Sequence, residues 1–326
     1  MALDRASFGP LTEPLRRDLL LHCYRFMGSM ADAEDLVQET LARAWRARAG
    51  YRGDASLRTW LRRIATRTCL DALRRGRPRR TLPSAANQAA TGEILWLEPM
   101  PDHLLVDADS DPAAKYEARE SVSLAFMTAL QHLSPRQRAV LILRDVLALQ
   151  ASEVAAHLEI TVSSANSLLH RARRAMRERY DRPVAFAPED PELAQLLRRY
   201  IHAWESGDVD ALLATLKQDA TLEMPPLPVA SIGHAAIRAF LAGTVLDGRA
   251  GQWRGRTTGA NGGPAVALYA REGDAYRFSG LQLLREDGGS IAAVTAYMDN
   301  SLARRFKLPS TISADFSASS PPTPSP

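Results

Sequence analysis

Residues 32–75 predict two consecutive amphipathic helices of opposite charge, and this pattern constrains the fold more than any other feature of the chain. Asp32, Asp35 and Glu39 recur at i, i+3 and i+7, so they share one face of the first helix. The second helix carries an apolar stripe that contains a tryptophan, formed by Leu57, Trp60, Leu61, Ile64, Ala65, Thr68, Ala72 and Leu73. Arginines occupy its remaining surface. We infer a helical unit that offers an acidic surface to one partner and a basic surface to another, as an adaptor between a protein and a nucleic acid would.

The chain has 326 residues and a net charge of +4, which conceals larger blocks of opposite sign. The net charge is +8 over residues 1–80, −6 over 81–130, +4 over 131–182 and −2 over 183–326. A chain of this length favours two or three domains. Two basic blocks separated by an acidic connector suit a long anionic ligand such as duplex DNA.

The two cysteines, Cys23 and Cys69, fall in predicted helices without metal-ligand spacing, so we expect buried thiols rather than a disulfide or a metal site. No apolar run approaches the about 18 residues of a membrane span, and the N-terminus lacks the charged-then-apolar pattern of a signal peptide. We expect a cytoplasmic protein with no cofactor.

Composition and periodicity predict a multidomain chain with two all-α domains followed by one α+β domain. The expected boundaries are a helical domain at 10–80, an acidic linker at 81–112, a second helical domain at 113–182, an α+β domain at 190–309 and a disordered tail at 310–326.

Several local expectations follow. A helix is predicted to run from about residue 112 to His132, and the third domain should begin with helices at 192–206 and 209–217. An antiparallel meander should follow, with strands at 220–223, 265–269, 276–284 and 291–297. The apolar patch Trp96–Asp102 in the linker should pack on another surface, with the protein's own body as the simplest choice.

Residues 152–174 have the layout of a helix-turn-helix. The first helix ends near Leu158, residues 159–161 make the turn, and Thr161 is the expected N-cap of the second helix. That helix should bury Ala165, Leu168, Leu169 and Ala172 and expose Ser163, Ser164, Asn166, Ser167, His170, Arg171 and Arg174. Asn166 is the best candidate for reading a base, because an amide can bond adenine bidentately. The alternative is an ordinary helical hairpin with a solvated polar face.

Two features of the first domain allow two interpretations each. Trp60 lies beside arginines and close to Tyr51, which suits stacking on unpaired bases, but a tryptophan at helical spacing is also a common core residue. The acidic stripe could be a solvated face. Because acids within a basic block weaken DNA binding, their presence favours contact with a basic protein surface instead.

Several motifs together resemble the sigma-70 family of initiation factors. Residues 32–40 with Trp45, and residues 60–74, are similar to conserved region 2, whereas residues 133–144 and the helix-turn-helix are similar to region 4. The order and small size resemble the extracytoplasmic-function (ECF) group over about residues 10–180.

The resemblance implies that the chain binds core RNA polymerase and promoter DNA, and that it is not an enzyme. The polymerase β′ clamp helices would contact Asp32, Asp35, Gln38 and Glu39, and the β flap would be a further polymerase contact. The −10 element would be melted and held by Tyr51, Arg58, Trp60, Arg62, Arg63 and Arg67. The recognition helix would read the −35 element, and the acidic connector would extend toward the polymerase active-site cleft. Two positions depart from the family pattern: Arg67 replaces the usual asparagine, and Glu159 replaces the usual glycine of the turn.

Residues 190–310 resemble a SnoaL-like domain, the cone-shaped α+β fold of polyketide cyclases and ketosteroid isomerases, through residues 200–212, 220–226 and 260–265. Such a domain could be an enzyme, a ligand-sensing pocket or an intramolecular regulatory surface. Catalytic candidates by residue type alone are His202, Asp208, Asp274 and Asp299, although Asp208 is better placed to cap the following helix.

We therefore predict a sigma factor whose C-terminal domain modulates its activity. The alternatives are a plain, ligand-responsive helix-turn-helix regulator and a SnoaL-like enzyme fused to a DNA-binding tether.

Overall fold

A computed structural model describes residues 3–76, 81–83, 93–95, 97–105, 112–178, 180, 190–225, 227, 229–246 and 248–313, of which 81–83, 93–95, 112–115 and 244 are described by their backbone alone. The chain divides into two compact units, Met1–Arg80 with Leu95–Arg182, and Thr81–Ile94 with Pro183–Pro326. No helix of the described part is long and apolar enough to cross a membrane.

The first unit begins with four helices, α1 (Phe8–Thr12), α2 (Arg16–Met27), α3 (Met30–Ala47) and α4 (Leu57–Arg74). Gly28 ends α2 in the left-handed conformation, with φ of 69°, as its expected C-cap role requires. Ser29 caps α3 by accepting a hydrogen bond from the amide of Asp32, so α3 starts two residues before the acidic stripe. The two helices of opposite charge are therefore α3 and α4.

One hydrophobic core joins α2, α3 and α4 to helices from later in the unit. Half of the predicted α4 stripe is fully buried, namely Leu61, Ala65, Thr68 and Ala72. Leu57, Trp60, Ile64 and Leu73 are partly buried and pack against the same core. The apolar periodicity therefore predicted the packed face of α4.

Residues 97–105 pack along α2, and the Arg17 guanidinium at the start of the helix donates to the Leu104 carbonyl at 2.9 Å. Leu97 and Met100 are buried, and the carbonyl of Glu98 accepts a hydrogen bond from the Tyr24 hydroxyl at 2.8 Å. The amide of Glu98 donates to the Gly28 carbonyl at 2.8 Å, and its carboxylate accepts from the amide of Ala31 at 3.0 Å. The prediction that this patch packs on the protein's own body is confirmed for residues 97–102, while Trp96 lies outside the described residues.

The rest of the first unit is helical, with α5 (Pro112–Glu120), α6 (Leu124–Gln131), α7 (Pro135–Leu141), a π-helical turn (Ile142–Val146), α8 (Ala151–Leu158) and α9 (Val162–Arg177). The prediction of one helix from 112 to 132 is wrong. Ser123 interrupts it and caps α6 by accepting a hydrogen bond from the amide of Phe126. Ser134 and Gln137 form a capping box at the start of α7.

The second unit contains the pair β1 (Thr81–Pro83) and β2 (Glu93–Leu95), followed by an α+β body. The body consists of α10 (Pro191–Ser206), α11 (Val209–Leu213), β3 (Leu216–Glu223), β4 (Ala230–Ile232), α12 (Gly233–Thr244), β5 (Trp253–Ala260), β6 (Gly263–Glu272), β7 (Ala275–Asp287), β8 (Ser290–Tyr297), α13 (Leu302–Arg305) and β9 (Thr311–Ser313). The strands form one sheet in the order β4-β3-β8-β7-β6-β5, with β9 beside the start of β7.

Several expectations for this body need correction. The second helix ends at Leu213 rather than at 217, because Leu216 already starts β3. The sheet is mixed, since β3 and β8 run parallel, and β4, β5 and α12 were not predicted. Residues 311–313 pair with residues 275–277 where we expected disorder, and residues 314–326 lie outside the described part.

The helices α10 and α12 cover one face of the sheet, with α10 against β5 and α12 against β3. The approach of α10 is close at Gly255, where an added Cβ would lie 2.7 Å from Ile201. Apolar residues from both helices and from the inner strands form the core of this unit. That arrangement encloses the small cavity described below.

Candidate functional site

The acidic residues of α3 lie on its outer face. Asp35 and Gln38 are exposed, whereas Asp32 and Glu39 are partly buried. Glu39 lies 2.5 Å from Arg43 on the next turn and 3.8 Å from Arg75 at the end of α4. Arg43 and Arg75 therefore partly neutralise the acidic stripe at its C-terminal end.

An aromatic pair stands at the entrance to α4. The ring centroids of Tyr51 and Trp60 are 5.1 Å apart, and the planes are tilted by 46°. The Tyr51 hydroxyl donates to the carbonyl of Ala55 at 2.8 Å, which fixes the loop before α4. Trp60 is partly buried against the core and partly open to solvent, so its geometry suits both of the roles weighed from the sequence.

The arginines of α4 have different neighbours. Arg58 is exposed, whereas Arg62 forms a forked ion pair with Asp18 of α2. Arg63 donates to the carbonyl of Ala156 in α8 at 3.2 Å, and Arg67 forms an ion pair with Glu159. The structure thus brings two arginines of the expected −10 face against the helix-turn-helix.

The turn between α8 and α9 has the conformation that favours glycine. Glu159 has φ of 54° and ends α8 with its amide bonded to the carbonyl of Ala155. A side chain in this region costs about 1 kcal/mol relative to glycine. Ile160 packs beneath the turn, so the helix-turn-helix keeps its form despite the departure at Glu159.

The outer face of α9 has the predicted composition. Thr161 caps the helix by accepting a hydrogen bond from the amide of Ser164 at 3.1 Å, as expected. Ala165, Leu169 and Ala172 are buried as expected, whereas Leu168 is only partly buried against the same core. The expected base and phosphate contacts are all exposed, namely Ser163, Ser164, Asn166, Ser167, His170, Arg171 and Arg174. The periodicity therefore separated the packed face of α9 from its outer face.

Two residues near this face were missed from the sequence. Val162 is 44% exposed at the start of α9 and lines a shallow groove with Ser163 and Asn166, where a thymine methyl could contact it. Its apolar character at a helix start next to a polar face was the available signal. Arg173 forms two hydrogen bonds to Asp145, at 3.0 and 2.7 Å, which raise the pKa of Arg173 and fix α9 to the π-helical turn.

The second unit contains a small apolar cavity. Its volume is about 40 Å³, measured as the space open to the centre of a water molecule, and Trp204, Phe240, Trp253 and Met298 are among its walls. Gln282 also lines it, with its side-chain oxygen accepting a hydrogen bond from the buried Tyr200 hydroxyl at 2.8 Å. A cavity of this size holds a few water molecules.

The catalytic candidates lie away from this cavity. His202, Asp208, Asp274 and Asp299 are exposed and are not among its walls. Asp208 caps α11 by accepting a hydrogen bond from the amide of Ala211 at 2.9 Å, as expected. The four candidates therefore do not converge on a site. Burial raises the pKa of another carboxyl, Glu223, which alternates along β3 with the cavity-lining Leu222.

Comparison with known proteins agrees with this arrangement. The family description "Sigma-70 region 2" matches residues 11–79, "Sigma-70, region 4" matches residues 123–176, and "SnoaL-like domain" matches residues 197–294. The ECF RNA polymerase sigma factor SigG of Mycobacterium tuberculosis is 44% identical over 321 residues, covering 94% of this chain and 85% of SigG.

A second relative supports the same assignment. The ECF RNA polymerase sigma factor SigJ of Mycobacterium tuberculosis is 34% identical over 211 residues, covering 64% of this chain and 62% of SigJ. The crystal structure of SigJ superposes with a TM-score of 0.61 at 25% identity, covering 92% of this chain and 99% of the SigJ chain. Both resemblances inferred from the sequence are confirmed, and the chain belongs to the ECF RNA polymerase sigma factors of the sigma-70 family, with a SnoaL-like domain after region 4.

Proposed function

We propose that the chain joins core RNA polymerase and directs initiation at specific promoters, with region 2 (residues 10–80) opening the −10 element and region 4 (residues 113–182) reading the −35 element. The observation that carries this proposal is the pair α3 and α4. Adjacent helices of one core present an acidic face and an arginine-aromatic face, and a plain DNA-binding regulator has no use for the first. Run-off transcription with purified core polymerase tests it.

The acidic face of α3 is the proposed polymerase contact, formed by Asp32, Asp35, Gln38 and Glu39 against the β′ clamp helices, while the β flap is the proposed partner of region 4. Charge reversal by Asp35→Arg should weaken core binding about ten-fold, or about 1.4 kcal/mol, because an attractive contact becomes repulsive. Asp274→Arg, at an exposed turn of the SnoaL-like domain, is the control. Equal affinities of both variants would remove this assignment.

The −10 face is proposed to stack unpaired bases on Tyr51 and Trp60 and to hold the strand with Arg58, Arg62, Arg63 and Arg67. Tyr51 and Trp60 both pack against the core, and Tyr51→Leu removes the aromatic ring while keeping an apolar side chain in that packing. Loss of one stacked base should weaken holoenzyme binding to single-stranded −10 DNA by about 1–3 kcal/mol and leave binding to duplex DNA unchanged. Equal losses on both DNAs would contradict the stacking role.

The recognition helix is proposed to place Asn166 against base edges and Arg171 against phosphate. Asn166→Ala should change the preferred −35 sequence, measured by binding to a randomised duplex library. Arg171→Ala should weaken binding to every sequence and reduce the slope of log affinity against log salt by about 0.9. A sequence-specific effect of Arg171→Ala would reverse these two roles.

The SnoaL-like domain is proposed to act as a regulatory surface. The cavity found among its described residues is much smaller than the roughly 300–1,000 Å³ of typical ligand pockets, which favours a regulatory surface over a ligand sensor. The dispersed catalytic candidates argue against an enzyme. Truncation after about residue 185 should therefore change transcriptional output with core polymerase. Identical output from the full chain and the truncated chain would show that the domain does not regulate transcription.

A further inference from the structure

Two arginines on one face of α4 contact the end of α8. The Arg63 guanidinium donates to the Ala156 carbonyl at 3.2 Å, and the Arg67 guanidinium forms an ion pair with the Glu159 carboxylate. Ala156 lies in the last turn of α8, where carbonyl groups carry the negative end of the helix dipole. The arginine face thus meets a cluster of partial and full negative charge.

The Ala156 carbonyl and the Glu159 carboxylate can accept hydrogen bonds from arginine as a DNA phosphate does. A phosphate presents negatively charged oxygens to arginine, and so do a carboxylate and a C-terminal helix carbonyl. Glu159 is 70% exposed, so packing does not require its side chain. It adopts a left-handed backbone and adds negative charge to a DNA-binding motif, both of which are unfavourable. Its position is explained by Arg67, and these two residues are also the two departures from the family pattern noted above.

The contact between α4 and α8 is incompatible with simultaneous binding of both promoter elements. The −10 and −35 elements are about 25 base pairs apart by their names, or about 85 Å at about 3.4 Å per pair. The helix α4 has 18 residues and is about 27 Å long, and α9 follows α8 after a three-residue turn. While Arg63 and Arg67 contact α8, the recognition helix stays beside region 2 and cannot reach a distant element.

We propose that Glu159, with the Ala156 carbonyl, is an internal substitute for promoter phosphate that occupies Arg63 and Arg67 in the free chain. Single-stranded −10 DNA displaces it when region 4 moves away to the −35 element. The inference rests on the proposed role of region 2 in binding that strand. It makes the helix-turn-helix a competitor for the −10 face, so neither DNA surface is fully available before polymerase and promoter are engaged.

Other contacts also hold the helix-turn-helix against region 2, and we call this the closed arrangement. Arg138 of α7 is fully buried and donates to the carbonyl of Phe26 at the end of α2. Burial lowers the pKa of His157 in α8, and the nearby charges of Arg63 and Arg67 lower it further. The Arg67 and Glu159 side chains are 44% and 70% exposed, so their ion pair favours the closed arrangement over the open one only about two- to five-fold. The buried contacts supply the remaining stability of the closed arrangement.

The test uses the full chain without polymerase and a fluorescent thymidine oligonucleotide as the single-stranded probe. Glu159→Gln should bind it about two- to five-fold more tightly than the wild-type chain at low salt, with the difference lost at high salt. Glu178→Gln is the matched control, because it removes the same charge from an exposed side chain just after α9 and frees Arg174, an arginine of the −35 face, instead of Arg67. A gain common to both variants therefore measures the general effect of added positive charge. In an Arg67→Ala background, Glu159→Gln should give no gain.

The fraction of chains in the closed arrangement is measured separately by energy transfer between dyes on Gln38→Cys and Ser167→Cys. Both positions are exposed, and the native Cys23 and Cys69 are buried away from the dyes. Transfer should fall in Glu159→Gln and return in the charge-swapped chain with Arg67→Glu and Glu159→Arg.

Equal oligonucleotide affinity of Glu159→Gln and Glu178→Gln, together with unchanged transfer, would overturn the proposal. A gain that persists without Arg67 would do the same. If transfer changes as expected but no form of the chain or holoenzyme binds single-stranded DNA, the contact stands and the −10 role of region 2 fails.

Discussion

A buried histidine should make the first unit sensitive to mild acid. His22 of α2 is 1% exposed, and its Nε2 lies 2.9 Å from the hydroxyl of Thr66 in α4. Burial, together with the charges of Arg62 and Arg25, lowers the pKa of His22 to about 3, while the charge of Asp18 opposes this shift. The imidazole therefore stays neutral in the folded chain at pH values where it is protonated in the unfolded chain.

The sign and size follow from proton linkage. Between the unfolded pKa of 6.5 and the folded pKa of about 3, the unfolded chain binds one more proton, so lowering the pH favours unfolding. The full stability is present above pH 6.5 and falls by about 1.4 kcal/mol per pH unit below it. Lowering the pH from 7.5 to 5.0 covers about 1.5 pH units below 6.5, so His22 should lower the free energy of unfolding of the first unit by roughly 2 kcal/mol.

Native-state hydrogen exchange of peptides from α2 and α4 measures this loss within the first unit. The control is His22→Gln, which keeps a side chain able to bond Thr66 but does not titrate. Its stability should be lower at pH 7.5 and should depend less on pH by the same roughly 2 kcal/mol. Parallel pH dependences in the wild-type chain and His22→Gln would refute the reasoning.

Substitutions at Gly28, Gly255 and Ser134 test the packing and the helix capping by thermal unfolding. Gly28→Ala should destabilise the first unit by about 1–3 kcal/mol, because the added methyl meets Leu97 and the backbone is left-handed. Adding Leu97→Ala should relieve part of this loss. Strictly additive effects of the two substitutions would exclude the contact between the methyl and Leu97. Gly255→Ala should destabilise the second unit by about 1–3 kcal/mol, since its Cβ would lie 2.7 Å from Ile201. Ser134→Ala should cost about 1 kcal/mol by removing the capping box of α7, and an unchanged melting temperature would remove that role.

Local patterns predicted the helical parts of the site well. The outer face of α9, its Thr161 cap and the buried stripe of α4 all follow from a 3.6-residue period and short-range capping, which act within a few residues of sequence. The C-cap at Gly28 follows in the same way from one residue that tolerates positive φ.

The missed elements depend on distant partners. Strand β5 carries arginine, threonine and two glycines without regular alternation, and it is defined by pairing with β6 and by the close approach of α10 at Gly255. The parallel pairing of β3 with β8 joins strands about 70 residues apart, and no local signal encodes it. Likewise, Arg67 and Glu159 are 92 residues apart, so the sequence identified both as unusual but could not show that they meet.

Run-off transcription with purified core RNA polymerase, across a library of promoter fragments, tests the central claim most directly. The account predicts initiation at a defined set of promoters that share −10 and −35 sequences, with output reduced by Asp35→Arg and altered by truncation after about residue 185. Absence of any specific transcript, from both the full chain and the truncated chain, would contradict the proposed function.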